Sequence, residues 1–214
     1  MENSNSFIKE NSELRRDARA QLKGNWGTAV LLCIIYGIIT SILIGIFRII
    51  PVDGALSKYA VQSLIPQLLL GPIMLGLVVC FMHLVRHEPF QFENLFDGFK
   101  KFVPALILQI VVSIFTFLWL CLLIVPGIIA GLRYSMSFYI LNDNPDMSAM
   151  EALKASKEMM KGYKARLFFM YLVFFGFSLL SVFTLFIGML WITPYMYTSL
   201  GNFYQNLKDN QKTL

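Results

Sequence analysis

The stretch VPALILQIVVSIFTFLWLCLLIVPGIIAGLRYSMSFYIL, residues 103–141, decides the fold. Its 39 residues carry one charge, Arg133. A straight helix of that length, rising 1.5 Å per residue, would reach about 58 Å, about twice the thickness of a hydrocarbon core. The segment must therefore fold back on itself. Val125-Pro126-Gly127 is the expected break, because proline disfavours helix at the residue before it and glycine permits a tight turn. In lipid every backbone N–H and C=O must find a partner within the chain, so a run this apolar reads as helix.

Three further apolar runs extend the pattern: residues 26–50, 65–85 and 167–204. The first is too long for a cleaved leader, and the residues before it hold four acids beside five bases. The second contains Pro66 and Pro72, which predict an irregular or kinked start. The fourth is too long for one crossing, and Gly188 and Pro194 mark its expected turn. Across the 214 residues, 57% are hydrophobic and 14% charged, with a mean hydropathy of +0.62. That balance excludes a soluble globule, a disordered chain, a collagen-like repeat and a disulfide scaffold. The expected fold is all-α: a polytopic transmembrane helical bundle of about six spans, arranged as three hairpins with interfacial amphipathic helices. Residues 1–214 form one integral membrane domain.

The charges supply an orientation. Residues 1–25 hold Lys9, Arg15, Arg16, Arg19 and Lys23; residues 86–102 hold Arg86, Lys100 and Lys101. Residues 142–166 hold Lys154, Lys157, Lys161, Lys164 and Arg166, and the tail holds Lys208 and Lys212. These are 15 of the 18 bases, leaving Arg48 and Lys58 near the first interhelical loop and Arg133 inside a span. The positive-inside rule places both termini in the cytoplasm. The net charge of +5 follows from that topology and needs no nucleic-acid partner to explain it.

A threefold pattern runs through the chain, with candidate repeats at 9–86, 87–142 and 143–207. The junctions read LKGNWGTAVLL at residues 22–32, GFKKFVPALIL at 98–108 and MKGYKARLFFM at 160–170. Each follows an amphipathic stretch and precedes an apolar helix and a proline. In the third stretch, Ser148 and Glu151 form a capping-box pattern, Met150, Leu153 and Met160 an apolar stripe, and Gly162 a stop. In the first, Ser12 precedes Glu13, and Leu14, Ala18 and Leu22 share one side, with Arg15, Arg16 and Arg19 among the polar positions. In the second, Phe92, Leu95, Phe96 and Phe99 suit the headgroup boundary. Gly37, Ser41 and Gly45 offer a small-residue face for close helix contact.

Several of these segments together resemble a known family. They are the arginine-rich start running into LKGNW, then NLFDGFKKF, LLIVPGIIAGLRYSMSFYILNDNP, SAMEALKASKEMMKGYK and ITPYMYTSLGNFYQNL. The chain resembles, over nearly its whole length, the uncharacterised bacterial integral-membrane family catalogued as domain of unknown function 975. The PGI turn and the Ala-Leu-Lys-Ala-Ser helix are also similar to the membrane domain attached to some glycerophosphodiester phosphodiesterases. That likeness concerns the membrane part and carries no catalytic residues. The family resemblance implies a bacterial cytoplasmic (inner) membrane location and supplies no activity.

The residues offer little chemistry of the usual kinds. Cys33, Cys80 and Cys121 lie far apart in apolar runs, which fits small buried hydrophobes. His83 and His87, four apart, would share a helix face, without accompanying ligands. The 142–146 turn, Asn-Asp-Asn-Pro-Asp, lacks the glycine and distal glutamate of a calcium loop. No metal site, cofactor or catalytic group is expected. Arg133 is the leading candidate, because a charge at mid-depth costs about 2.5–3.5 kcal/mol on insertion scales and needs partners. Gln109, Tyr134, Tyr139 and Asp143 are the candidates for that role; alternatively, Arg133 snorkels to the headgroups or pins helix packing. Arg15, Arg16, Arg19, Lys154, Lys157, Lys161, Lys164 and Arg166 are candidate contacts for anionic lipid. The sequence thus points to a non-enzymatic membrane protein, a scaffold, regulator or envelope-maintenance factor working through lipid or protein contacts. The alternative is a small transporter or channel with a polar path at Arg133. Membrane lipids are the expected partners, with a membrane-protein partner or a second copy beside them.

Overall fold

The computed structural model describes residues 8–122, 124–144 and 146–212. Among these, regular structure is entirely helical. The order is α1 (Asn11–Leu22), α2 (Trp26–Arg48), α3 (Ala55–Tyr59), a π-helical turn (Ala60–Leu64), α4 (Ile65–Leu69) and α5 (Gly71–Val85). A 3-10 helix (Phe92–Lys101) runs directly into α6 (Phe102–Leu122). Then come α7 (Ile124–Tyr134), α8 (Ser137–Asp143), α9 (Ala149–Met159), α10 (Lys164–Ser181), a 3-10 turn (Val182–Thr184) and α11 (Met189–Lys212).

Among the described residues, four stretches are long and apolar enough to cross a membrane: Trp26–Arg48, Ala55–Val85, Phe92–Trp119 and Lys164–Thr184. The expected span after Pro126 is divided, because α7 and α8 are separated at Ser135 and Met136. The last expected span, α11, turns polar in its second half, from Asn202 through Gln205 and Asn206 to Lys208. The chain reverses between α6 and α7, which pack side by side. Helix resumes at Ile124, so Pro126 sits in the first turn of α7, where a missing N–H breaks no hydrogen bond. The second turn needs correction. It occupies residues 182–188, with Leu185 and Phe186 at positive φ, whereas Pro194 lies inside α11. Pro66 and Pro72 act as expected: a wide π turn precedes the first, and α5 restarts with the second at its N-terminus.

Burial divides the molecule into two layers. Helix α5 is buried on all sides, from Gly71 and Pro72 to Leu84 and Val85. The cause is in its sequence, GPIMLGLVVCFMHLV, which has no polar face to offer solvent. Around it pack the 3-10 helix, α11, α6, α8 and α1. Leu14, Ala18 and Leu22 of α1 are buried there, as their spacing predicts. By contrast, α2 exposes Ile34, Ile38, Ile42 and Ile46, one residue per turn along one face. Exposed Phe117 and Leu118 of α6, Phe169, Leu172 and Phe175 of α10, and Val125 and Ile128 of α7 continue that apolar band.

Glycine sets the closest approaches. A Cβ on Gly76 would lie 1.8 Å from the Leu95 carbonyl oxygen, and one on Gly98 would lie 2.0 Å from that of Pro72. Backbone therefore meets backbone where α5 crosses the 3-10 helix. The small-residue face expected on α2 makes no such contact: Gly37 and Gly45 have nothing within 4 Å. The 3-10 helix has three residues per turn, so its side chains align in rows three apart. Leu95, Gly98 and Lys101 face the core, Asn94, Asp97 and Lys100 interact with one another, and Phe96, Phe99 and Phe102 form an exposed row of stacked rings. Leu95, expected at the headgroup boundary, belongs instead to the core.

Candidate functional site

The four basic segments that the sequence assigns to one side of the bundle meet at one end of it. Three helices bring their polar ends together there, and Asp143, the last residue of α8, is the hub. Its side chain is 3% exposed. Arg86, the residue closing α5, donates from one guanidinium nitrogen to both carboxylate oxygens, at 2.8 and 2.7 Å. From α11, the Tyr204 hydroxyl donates at 2.9 Å, and the Lys208 ammonium forms a second ion pair. Arg86 also reaches Gln205 at 3.1 Å, and Lys101 caps α8 by donating to the carbonyls of Leu141 and Asn142 at 2.9 and 3.0 Å.

The electrostatics follow from this packing. Burial alone pushes the Asp143 carboxyl up, but bonds from Arg86, Lys208 and Tyr204 outweigh it and hold the group below its ordinary value. Burial likewise lowers Arg86, and Asp143 more than restores it. The Tyr204 phenol is raised, first by burial and then by the neighbouring carboxylate. The cluster is thus a fixed carboxylate held by two cations, and its chemistry is that of a clamp.

A second junction mends the break between α7 and α8. Ser156 of α9 is fully buried; its hydroxyl donates to the Arg133 carbonyl at 2.8 Å and accepts from the Met136 N–H at 3.2 Å. Helix α9 starts as its sequence predicts, with Ser148 and Glu151 in a reciprocal capping box, and Gly162 follows at φ +80°. Its buried face is Ala149, Ala152, Leu153, Ser156 and Met159, so Met150 points away. Removing the hydroxyl in Ser156→Ala should leave both backbone groups buried without partners. The expected loss is about 1–3 kcal/mol, read from thermal unfolding of detergent-purified protein by circular dichroism.

The sequence candidates disperse. Arg133 lies in the last turn of α7, half-buried, and its side chain makes no hydrogen bond or ion pair among the described residues. Gln109 donates to Ser113 at 3.5 Å, the Tyr134 ring packs against Phe115, and buried Tyr139 packs against Tyr204. Asp143 belongs to the Arg86 clamp. The Arg86 pairing, 57 residues away along the chain, is not legible in the sequence; its signal is an acid and a base at two helix ends.

Among the lipid-contact candidates, Arg16, Lys154, Lys157 and Lys161 are exposed and Arg15 and Lys164 are half-buried. Arg19 stacks over Tyr195, and Arg166 over Phe203, so these two also tie α1 and α10 to α11. His83 pairs with Glu88 at 3.4 Å, whereas His87 lies beyond the end of α5 at φ +57°; the two do not share a helix face. Cys33 is half-buried and Cys80 buried; the Cys121 side chain and Pro145 lie outside the described residues.

Cavities accompany the cap and the bundle, among them the following three. One of about 610 Å³ is a polar cleft lined in part by Gln21, Asn25, His87, Asn202 and Gln205. On its floor Gln21 and Asn202 exchange amide hydrogen bonds at 3.1 and 2.8 Å. One of about 420 Å³ adjoins Asp143, Asp146 and Glu151, and one of about 270 Å³ lies between α10 and α11. Arg133 and Gln109 line none of these three.

Among the described residues, an all-helical architecture with an apolar outer band, four helices able to cross a membrane and a charge-clamped cap fits the class of polytopic membrane proteins. The chain belongs to the family described as Protein of unknown function (DUF975), whose model matches residues 1–129 and 120–211. No match was found among curated proteins or among solved structures.

Proposed function

We propose that this is a non-enzymatic integral protein of the bacterial cytoplasmic membrane that works through contacts with lipid and protein partners, as a scaffold, regulator or envelope-maintenance factor. The cap faces the cytoplasm, carrying both termini with it. The observation that carries this reading is the Asp143 clamp: Arg86, Tyr204 and Lys208 are engaged in holding helix ends together. The exposed bases Arg16, Lys154 and Lys157 remain to meet anionic headgroups, each worth about 1 kcal/mol near such a surface, while Lys161 pairs with Glu158.

One observation favours a second reading, a solute path: Arg133 is a half-buried cation without a side-chain partner among the described residues. A flux assay decides between the two. Vesicles reconstituted with the protein should pass anionic solutes no faster than empty vesicles, and Arg133→Leu should insert and accumulate like the parent. A flux that disappears in Arg133→Leu would overturn the contact-based reading and establish the path.

A further inference from the structure

The turn between α10 and α11 has the construction of a loop without access to water. From Arg166 to Lys208 the chain carries no charged residue and no histidine. At the turn itself Phe183 and Leu185 are 87% and 84% exposed, with Val182, Phe186 and Ile187 beside them. Five large apolar side chains on a surface turn would be costly in water.

The backbone explains the arrangement. Every N–H from Leu185 to Ile192 is satisfied inside the turn: seven donate to carbonyls of residues 181–188, and Gly188 donates to the Thr184 hydroxyl at 3.1 Å. That hydroxyl in turn donates to the Ser181 carbonyl at 2.9 Å, and Ser181 donates to Ser178 at 2.6 Å. Leu185 and Phe186 adopt left-handed backbone, a strained region for bulky side chains, and thereby close the turn. Water-facing loops have no need to pair every amide with their own chain. Irregular backbone in hydrocarbon must do so.

Beneath the turn lies the groove of about 270 Å³, lined by Phe177, Leu180, Ser181, Thr184, Gly188 and Ile192. Its two hydroxyls are already committed to backbone carbonyls, so the wall it presents is apolar.

We propose that the α10–α11 turn sits within the hydrocarbon of the leaflet opposite the cap, and that the groove beneath it binds one acyl chain of a membrane lipid. This rests on the membrane reading above. Resistance of the protein to alkaline carbonate extraction tests that reading separately.

Two measurements test the proposal. A nitroxide on Phe183→Cys, with Cys33, Cys80 and Cys121 replaced by alanine, should in vesicles be accessible to oxygen and shielded from a water-soluble nickel chelate. The same label on Ser57→Cys should show the reverse. Shielding lost at position 183 in a carbonate-resistant protein overturns the immersed turn. For the groove, phospholipid with brominated acyl chains is titrated into detergent-purified protein that keeps Trp191 as its sole tryptophan. Quenching should saturate at about one lipid per chain, and Ile192→Phe should weaken it about tenfold or more. Leu180→Phe is the second filling variant, with native helicity checked for both. Quenching that never saturates, or that folded filling variants leave unchanged, overturns the acyl-chain site.

Discussion

Asp143→Asn should destabilise the protein by about 3–5 kcal/mol, the range for breaking a buried ion pair by removing one partner. The substitution conserves shape, so the loss is electrostatic. Arg86 and Lys208, 26% and 27% exposed, would lie beside a neutral amide, and the ends of α5, α8 and α11 would lose their common anchor. For a chain of this length the melting temperature should fall by about 6–20 °C, read from circular dichroism of detergent-purified protein. Arg86→Gln should cost less, because Lys208 still compensates the carboxylate. A melting temperature unchanged in Asp143→Asn would remove the clamp from the account.

The same residue sets a pH dependence. Asp143 titrates below its ordinary carboxylate value of 3.8. A depressed folded-state value means that its contribution is fully present above the unfolded value and is lost as pH falls through the folded one. Acid should therefore loosen the cap only below about pH 4, with Asp143→Asn flattening that part of the stability profile.

Gly76→Ala and Gly98→Ala should be the most damaging of the conservative core substitutions. The methyl of the first would lie 1.8 Å from the Leu95 carbonyl oxygen, and that of the second 2.0 Å from the Pro72 oxygen and 2.5 Å from the Gly76 nitrogen. Each obstacle is backbone, so no rotamer relieves it and α5 must separate from the 3-10 helix. Overpacking costs about 1–3 kcal/mol where neighbours can adjust, and these sites should reach or exceed the top of that range. Gly37→Ala and Gly45→Ala provide the contrast. Their methyls meet nothing within 4 Å, and alanine favours helix over glycine by about 0.5–1 kcal/mol. The first pair should lose yield and melting temperature, while the second keeps or raises both. Equal behaviour of the two pairs would contradict the packing described.

Particular elements show how far the sequence carries. Long apolar runs, the reversal near Pro126, the Ser148–Glu151 capping box and the buried stripe Leu14, Ala18 and Leu22 were all legible, because each depends on neighbours within a few residues. Burial of α5 was not. Hydropathy records transfer out of water and is equally satisfied by lipid or by protein, so GPIMLGLVVCFMHLV reads like the outward-facing α2. The Arg86–Asp143 pair was hidden for a related reason: both residues look like solvated helix ends until the fold joins them. Arg133, conspicuous by position along the chain, has no such partner among the described residues. Glycine at 76 and glycine at 37 are indistinguishable in the sequence, since what matters is the backbone each one meets.

The central claim, a bundle whose cap lies on one side of a membrane and whose α2–α3 loop lies on the other, is tested most directly by cysteine accessibility in intact cells. Ser57 lies on α3, after the loop, and Ser148 caps α9 within the basic end. With the native cysteines replaced, Ser57→Cys should react with an impermeant maleimide added outside. Ser148→Cys should react only after the membrane is opened. Labelling of both positions from the same side would contradict the account.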